Sequence, residues 1–317
     1  MTSERTKVSV PLAVARGIAL YTDRNGLAVL ARTTRTCQVA AESRLYESLE
    51  VPHGRLAFTI CHTLASCPRV AIYVRNFILH SQPQRTRDRE HDQAVLIQMQ
   101  RTVQRRDYWD IVRSALANMH NLDYLHMTDP TFTNSWVLCP TNNWTMRPTE
   151  VRINLPWDEN VAAFLEPQDR LEVLCIAEVP ENIPLVPLSP TALPNLNAYE
   201  GPIILIDQLI NRPITNLKFP IDTEDAVSLL PLILPELNRF PRLSSLSIVG
   251  MPLEMAASCT LAISKASPDL KYLSYIPLPI DHKTVSSITM LSFRVISYLR
   301  RLFHSAPGIF TTSLTST

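Results

Sequence analysis

Phe240-Pro241-Arg242-Leu243-Ser244-Ser245-Leu246-Ser247-Ile248 is the stretch from which the rest of the chain can be read. Leu243, Leu246 and Ile248 fall in a Leu-x-x-Leu-x-apolar spacing, in which a short strand aims alternate side chains at a core. Pro241 precedes the strand, and an amphipathic helical stretch precedes Pro241.

Four further copies lie at Leu122–Met127, Leu171–Ile176, Ile214–Phe219 and Leu270–Tyr275, with partial copies at Val74–Leu79, Thr149–Leu155 and Leu196–Tyr199. Neighbouring copies are about 20–30 residues apart through most of the chain, which suits a strand-plus-helix unit. No single unit can bury its apolar face alone, so the units must stack. The spacing is irregular and the asparagine of a strict repeat is missing. The expected fold is therefore α/β and leucine-rich-repeat-like, a solenoid of parallel strands backed by helices. Ordinary α/β alternation with leucine-rich strands is the alternative.

Composition bounds the function. The 317 residues are 46% hydrophobic, enough for a large core, and the net charge of +1 argues against a nucleic-acid groove or an anionic membrane surface. The six cysteines contain no Cys-x-x-Cys pair, and no secretory signal is visible, so reduced thiols in the cytoplasm or nucleus are expected. No two of the six glycines are closer than nine positions, so neither a dinucleotide-binding loop nor a P-loop can be written. The 25 prolines punctuate junctions instead.

Along the chain, residues 1–9 are polar. Val14, Ile18 and Tyr21 recur at helical spacing, a second helix carries Leu27 and Leu30 behind Asp23 or Asn25, and a third carries Val39, Ala40, Leu45 and Tyr46. Arg55–Cys67 reads as a helix with Leu56, Ile60 and Leu64 on one stripe. His80–Asp92 has nothing to bury and reads as a loop, and one long helix is expected from Val95 to Leu116. Arg101, Arg105 and Arg106 mark a local basic face that is more often plain solvation. Trp136 and Trp144 lie in the irregular 128–148 stretch, where packing of the loop explains them better than binding. Val179–Pro194 reads as extended loop, Thr223-Glu224-Asp225 as a helix start that Pro231 and Pro235 then break or kink, and Lys283–Phe303 as a terminal amphipathic helix over the last strand.

Residues 10–51 resemble a divergent F-box, as it begins many fungal F-box and leucine-rich-repeat-like proteins. Val10-Pro11 stands for the family's Leu-Pro, Ile18 and Tyr21 fall on its first helix, and Asp23-x-x-x-Leu27-Ala28-x-Leu30 matches its second. Ala40-x-x-x-x-Leu45-Tyr46-x-Ser48-Leu49 matches its closing segment, and Pro68-Arg69-Val70-Ala71-Ile72-Tyr73-Val74-Arg75 resembles a phrase that follows it. Four segments are expected: a disordered polar N-terminus at 1–9, an F-box-like three-helix region at 10–51 that the resemblance implies, a leucine-rich-repeat-like α/β solenoid at 52–305 and a disordered tail at 306–317. The resemblance further implies docking on a Skp-type linker protein through Pro11, Leu12, Val14, Ile18, Leu27 and Leu30. Ala13, Thr34 and Cys37 depart from the family, which usually has an acidic residue, a Cys and a Trp there. The helices can alternatively serve only to cap the end of the repeats.

Chemistry is sparse. The eight histidines include no His-x-x-x-His, Cys61-His62 with Cys67 is better explained as buried thiols on a helix than as a metal site, and no Gly-x-Ser-x-Gly elbow exists. No enzyme, metal or cofactor is expected. The expectation is a non-catalytic substrate receptor of an SCF-type ubiquitin ligase, holding a linker and an unidentified protein target. A repeat-based interaction module without linker binding is the alternative, and neither nucleic acid nor membrane is expected as a partner.

Overall fold

Among the described residues nine short segments, most of them alternating apolar and polar side chains, are parallel strands in the computed structural model. The structure describes residues 10–80, 101–140, 144–179, 185–221 and 223–276. The stretches 1–9, 81–92 and 306–317, the helical residues expected at 95–99 and 283–303, and the proline-rich residues 180–184 lie outside it. The chain divides into two units, Met1–Phe164 and Leu165–Thr317.

The first unit runs α1 (Leu12–Leu20), α2 (Arg24–Leu30), α3 (Arg35–Leu45), β1 (Ser48–Pro52), α4 (Arg55–Ser66), α5 (Pro68–Ala71), β2 (Asn76–His80), α6 (Arg106–Asn118), β3 (Tyr124–Thr128), β4 (Glu150–Asn154) and α7 (Glu159–Leu165). Its four strands pair in chain order, all parallel. The register aligns Leu49, Phe77, Leu125 and Val151 in one row and Val51, Leu79, Met127 and Ile153 in the next. Both rows are buried, because a period of two sends every second side chain to the covered face. Helices α4 and α6 pack on each other and supply Cys61, Leu64, Trp109, Val112 and Leu116 to the core.

The second unit runs β5 (Val173–Ile176), β6 (Ala198–Glu200), α8 (Ile206–Leu209), β7 (Asn216–Pro220), α9 (Glu224–Ile233), β8 (Ser245–Val249), α10 (Ala256–Ala266) and β9 (Tyr272–Ile276). These strands are likewise parallel neighbours in chain order, with Leu174, Tyr199, Leu217, Leu246 and Leu273 in one buried row. Gly201 follows β6 because a Cβ there would meet the Tyr199 hydroxyl at 2.6 Å and the Ile176 carbonyl at 2.8 Å. Thr223 caps α9 by accepting from the Ala226 N–H, and the helix runs through Pro231 to Ile233 before tightening into a 3₁₀ turn at Leu234–Arg239. Proline there costs one hydrogen bond without ending the helix.

One device recurs at every described strand entry within a unit. A single carbonyl just before one strand accepts two N–H groups at the start of the next. Glu47, Arg75 and Asp123 do this in the first unit, and Glu172, Asn197, Thr215 and Ser244 in the second. The copies are thus equivalent in hydrogen bonding, not only in leucine spacing.

The structure departs from the sequence reading at four places. The first strand, β1, begins at Ser48, inside the stretch expected to close the N-terminal helical region. The long helix is interrupted: residues 101–103 end one helical piece, Arg105 is extended, and α6 starts afresh at Arg106. On α4 the buried stripe is Ala57, Cys61 and Leu64, while Leu56 is 57% exposed. The strands at 150–154 and 198–200, read as partial copies, are full members of their sheets.

Arg212 is a buried charge of the second unit. It is 6% exposed and donates to the carbonyls of Ala192 (3.1 Å), Ile210 (3.1 Å) and Ser189 (2.7 Å). Burial lowers its pKa. Removing it leaves three carbonyls to find other partners, so Arg212→Met should cost about 2 kcal/mol in urea unfolding, with Arg212→Lys recovering only part of it. An unchanged midpoint would show that the clamp is idle.

Candidate functional site

The N-terminal helices form a cluster with its own core: Ala15 and Ala19 of α1, Leu27 of α2, and Cys37, Ala40 and Ala41 of α3. Local signals fix the three helices. The Asp23 carboxylate accepts from the Gly26 N–H at 2.9 Å and caps α2, and the Thr34 hydroxyl accepts from the Cys37 N–H at 3.2 Å and caps α3. Small residues at the crossing let α1 approach α3 closely. Glu42 of α3 is 9% exposed and takes a two-pronged ion pair from Arg69 of α5, which ties the cluster to the neighbouring helix. That ion pair holds the Glu42 carboxyl below its ordinary pKa.

Because alanines fill the inward face of α1, its larger apolar residues point elsewhere. Val14, Ile18 and Tyr21 recur at i, i+4 and i+7, forming a stripe on one side of the helix. They are 52%, 46% and 89% exposed, and Val29 of α2 is 65% exposed. Sequence reasoning had found the stripe's periodicity without its direction. Of the six candidate residues, Pro11, Leu12, Val14 and Ile18 are exposed on the outside of the cluster. Leu30 is half-buried against the cluster core, and Leu27 is inside it at 5% exposure, so the Leu27 side chain is not presented to a partner. Tyr21 and Val29 join the exposed set. Neither was picked out for docking, because a helix end and a short glycine-containing helix leave the facing direction undetermined by spacing.

Several other titratable groups among the described residues are buried or bonded in place. Burial pushes the Cys61 thiol up to about 12 and raises the Tyr108 phenol. His53 sits at 5% exposure with both ring nitrogens engaged, Nδ1 with the Tyr108 hydroxyl and Nε2 with the Thr128 carbonyl, each at 2.7 Å. On the face of the first unit's strands opposite the buried rows, Glu50, Ile78, His126 and Arg152 share one row. His80 lies 3.4 Å from Glu50, and Arg152 donates to Glu150 at 2.7 Å. The His126 pKa is lowered by burial and by the Arg152 charge. Among the described residues no three of His, Cys, Asp and Glu are placed to hold a metal ion, and no helix is long and apolar enough to cross a membrane.

No family model matches this chain, and no curated protein matches it.

Proposed function

We propose that this chain is a non-catalytic substrate-receptor subunit of an SCF-type ubiquitin ligase. Its F-box-like helices dock a Skp-type linker and its leucine-rich-repeat-like body holds a protein target. The observation that carries the reading is the N-terminal cluster, which completes a core of its own and still leaves Val14, Ile18, Tyr21 and Val29 uncovered. An apolar stripe of this kind on a short helical cluster marks an interaction surface better than it marks solvation. The recurrent double acceptor at each strand entry supports the repeat-like description of the body. Such a receptor performs no bond chemistry. It raises the effective concentration of target lysines beside a recruited conjugating enzyme, in the cytoplasm or nucleus.

A second reading is a leucine-rich-repeat-like interaction module without ligase coupling. It is favoured by Cys37, which lies in the cluster core where the resembled family carries a tryptophan. Calorimetry with a purified Skp-type linker separates the two. The first reading expects a one-to-one complex, weakened about 100-fold or more by Ile18→Asp, since a buried unpaired carboxylate is costly at an apolar contact. Ile18 is exposed in the free chain, so the substitution leaves the fold intact, whereas a substitution at Leu27 would break the cluster itself. Absence of any complex favours the second reading, and a complex indifferent to Ile18→Asp rejects the docking face.

A further inference from the structure

A cleft of about 410 Å³ opens in the first unit between the start of α6 and the 131–136 loop. Gln104, Arg106, Thr133, Asn134 and Trp136 line it, and among the described residues no acidic side chain does. The Arg106 guanidinium lies over the Trp136 ring, 5.5 Å from its centroid. A guanidinium held over an aromatic ring keeps N–H groups with which to meet a planar oxyanion. Among the described residues Arg106 meets no carboxylate, whereas its neighbour Arg105 is paired with Asp107.

The wall facing Arg106 is built in advance. The buried Asp129 carboxylate accepts from the N–H groups of Thr131, Thr133 and Asn134, each at 2.9 Å, and the loop holds Phe132 at a φ of 53°. The Trp136 indole N–H is already bonded to the Asn134 side-chain oxygen at 3.2 Å, so the ring offers only its apolar surface. A prebuilt wall and an oriented cation lower the ordering cost of binding.

We propose that this cleft takes an acidic side chain from a peptide segment of a partner protein. The carboxylate meets the Arg106 fork, the Gln104 amide adds a donor, and the methylenes lie along the indole. The proposal deepens the reading that the repeat-like body holds a protein target. Linker affinity is read separately through Ile18→Asp, so either idea can fail alone.

The test is fluorescence anisotropy of full-length protein with labelled hexaglutamate. Binding should be saturable, absent for hexaglutamine, and about tenfold weaker in Arg106→Gln. Arg55→Gln, which removes an equal charge from an exposed position outside the cleft, should change affinity far less. Thermal unfolding of Arg106→Gln should match the parent, since that side chain is exposed. Failure of hexaglutamate to bind, or equal weakening by the two substitutions, overturns the assignment.

Discussion

Replacing Asp129 by alanine should lower the stability of the first unit by roughly 3–5 kcal/mol, among the largest effects of any single substitution that leaves the apolar core alone. Asp129 is fully buried, and its two oxygens accept five hydrogen bonds. Three come from the backbone N–H groups of Thr131, Thr133 and Asn134, which the carboxylate gathers on one side of the loop. The rest come from the Thr131 hydroxyl at 2.7 Å and the Asn134 amide at 3.1 Å. Alanine removes every acceptor at once, and the backbone donors keep their desolvation cost. Asp129→Asn keeps the size and one acceptor but turns the other into a donor facing donors, so it should recover little. Urea unfolding followed by tryptophan fluorescence measures both. Loss below about 1 kcal/mol for Asp129→Ala would mean that water replaces the carboxylate without penalty. The same substitution should also abolish hexaglutamate binding, because the wall opposite Arg106 loses its support.

Acidification should destabilise the protein well above the range in which carboxylates protonate. His53 is the cause. Burial lowers its pKa from the ordinary 6.5 to about 4, with the Thr128 carbonyl and the Asp129 charge opposing the shift and His80 adding to it. The unfolded chain takes up a proton at His53 near pH 6.5, while the folded chain does so only near pH 4. Between those values the unfolded state holds more protons, so stability falls as pH falls. The gap corresponds to about 3 kcal/mol when fully developed near pH 4. His126 shifts in the same direction and adds a smaller part. His53→Gln should flatten the decline between pH 6.5 and 4.5, whereas His126→Gln should flatten it only slightly. A parent protein whose unfolding free energy is constant across that interval would contradict the assignment of a neutral, doubly bonded imidazole.

The strands were legible because alternation is a local signal. Leu246 and Ile248 point one way whatever surrounds them, and the copies at 122, 171, 214 and 270 repeat that pattern. Helix faces were less legible, since which side is covered depends on what packs there. On α1 spacing alone grouped Val14, Ile18 and Tyr21 in one stripe without saying which side of the helix is covered, and it is Ala15 and Ala19 that face α3, because close helix approach favours small side chains. On α4 the same effect placed Ala57 and Cys61 inside and left Leu56 outside. Strand β1 was hidden because its residues completed a plausible helical phrase. Arg106 and Trp136 were each noticed, but nothing in a linear reading brings residues 30 positions apart into one cleft. That pairing depends on the buried carboxylate of Asp129, whose role is set by the loop it organises.

The central claim is that the uncovered face of α1 and α2 is a docking surface. Hydrogen exchange of the full chain, with and without a purified Skp-type linker, tests it most directly. The account predicts added protection confined to residues 11–31, with the strands of both units unchanged. Protection appearing on the sheet and not on these helices, or no change anywhere at saturating linker, would contradict it.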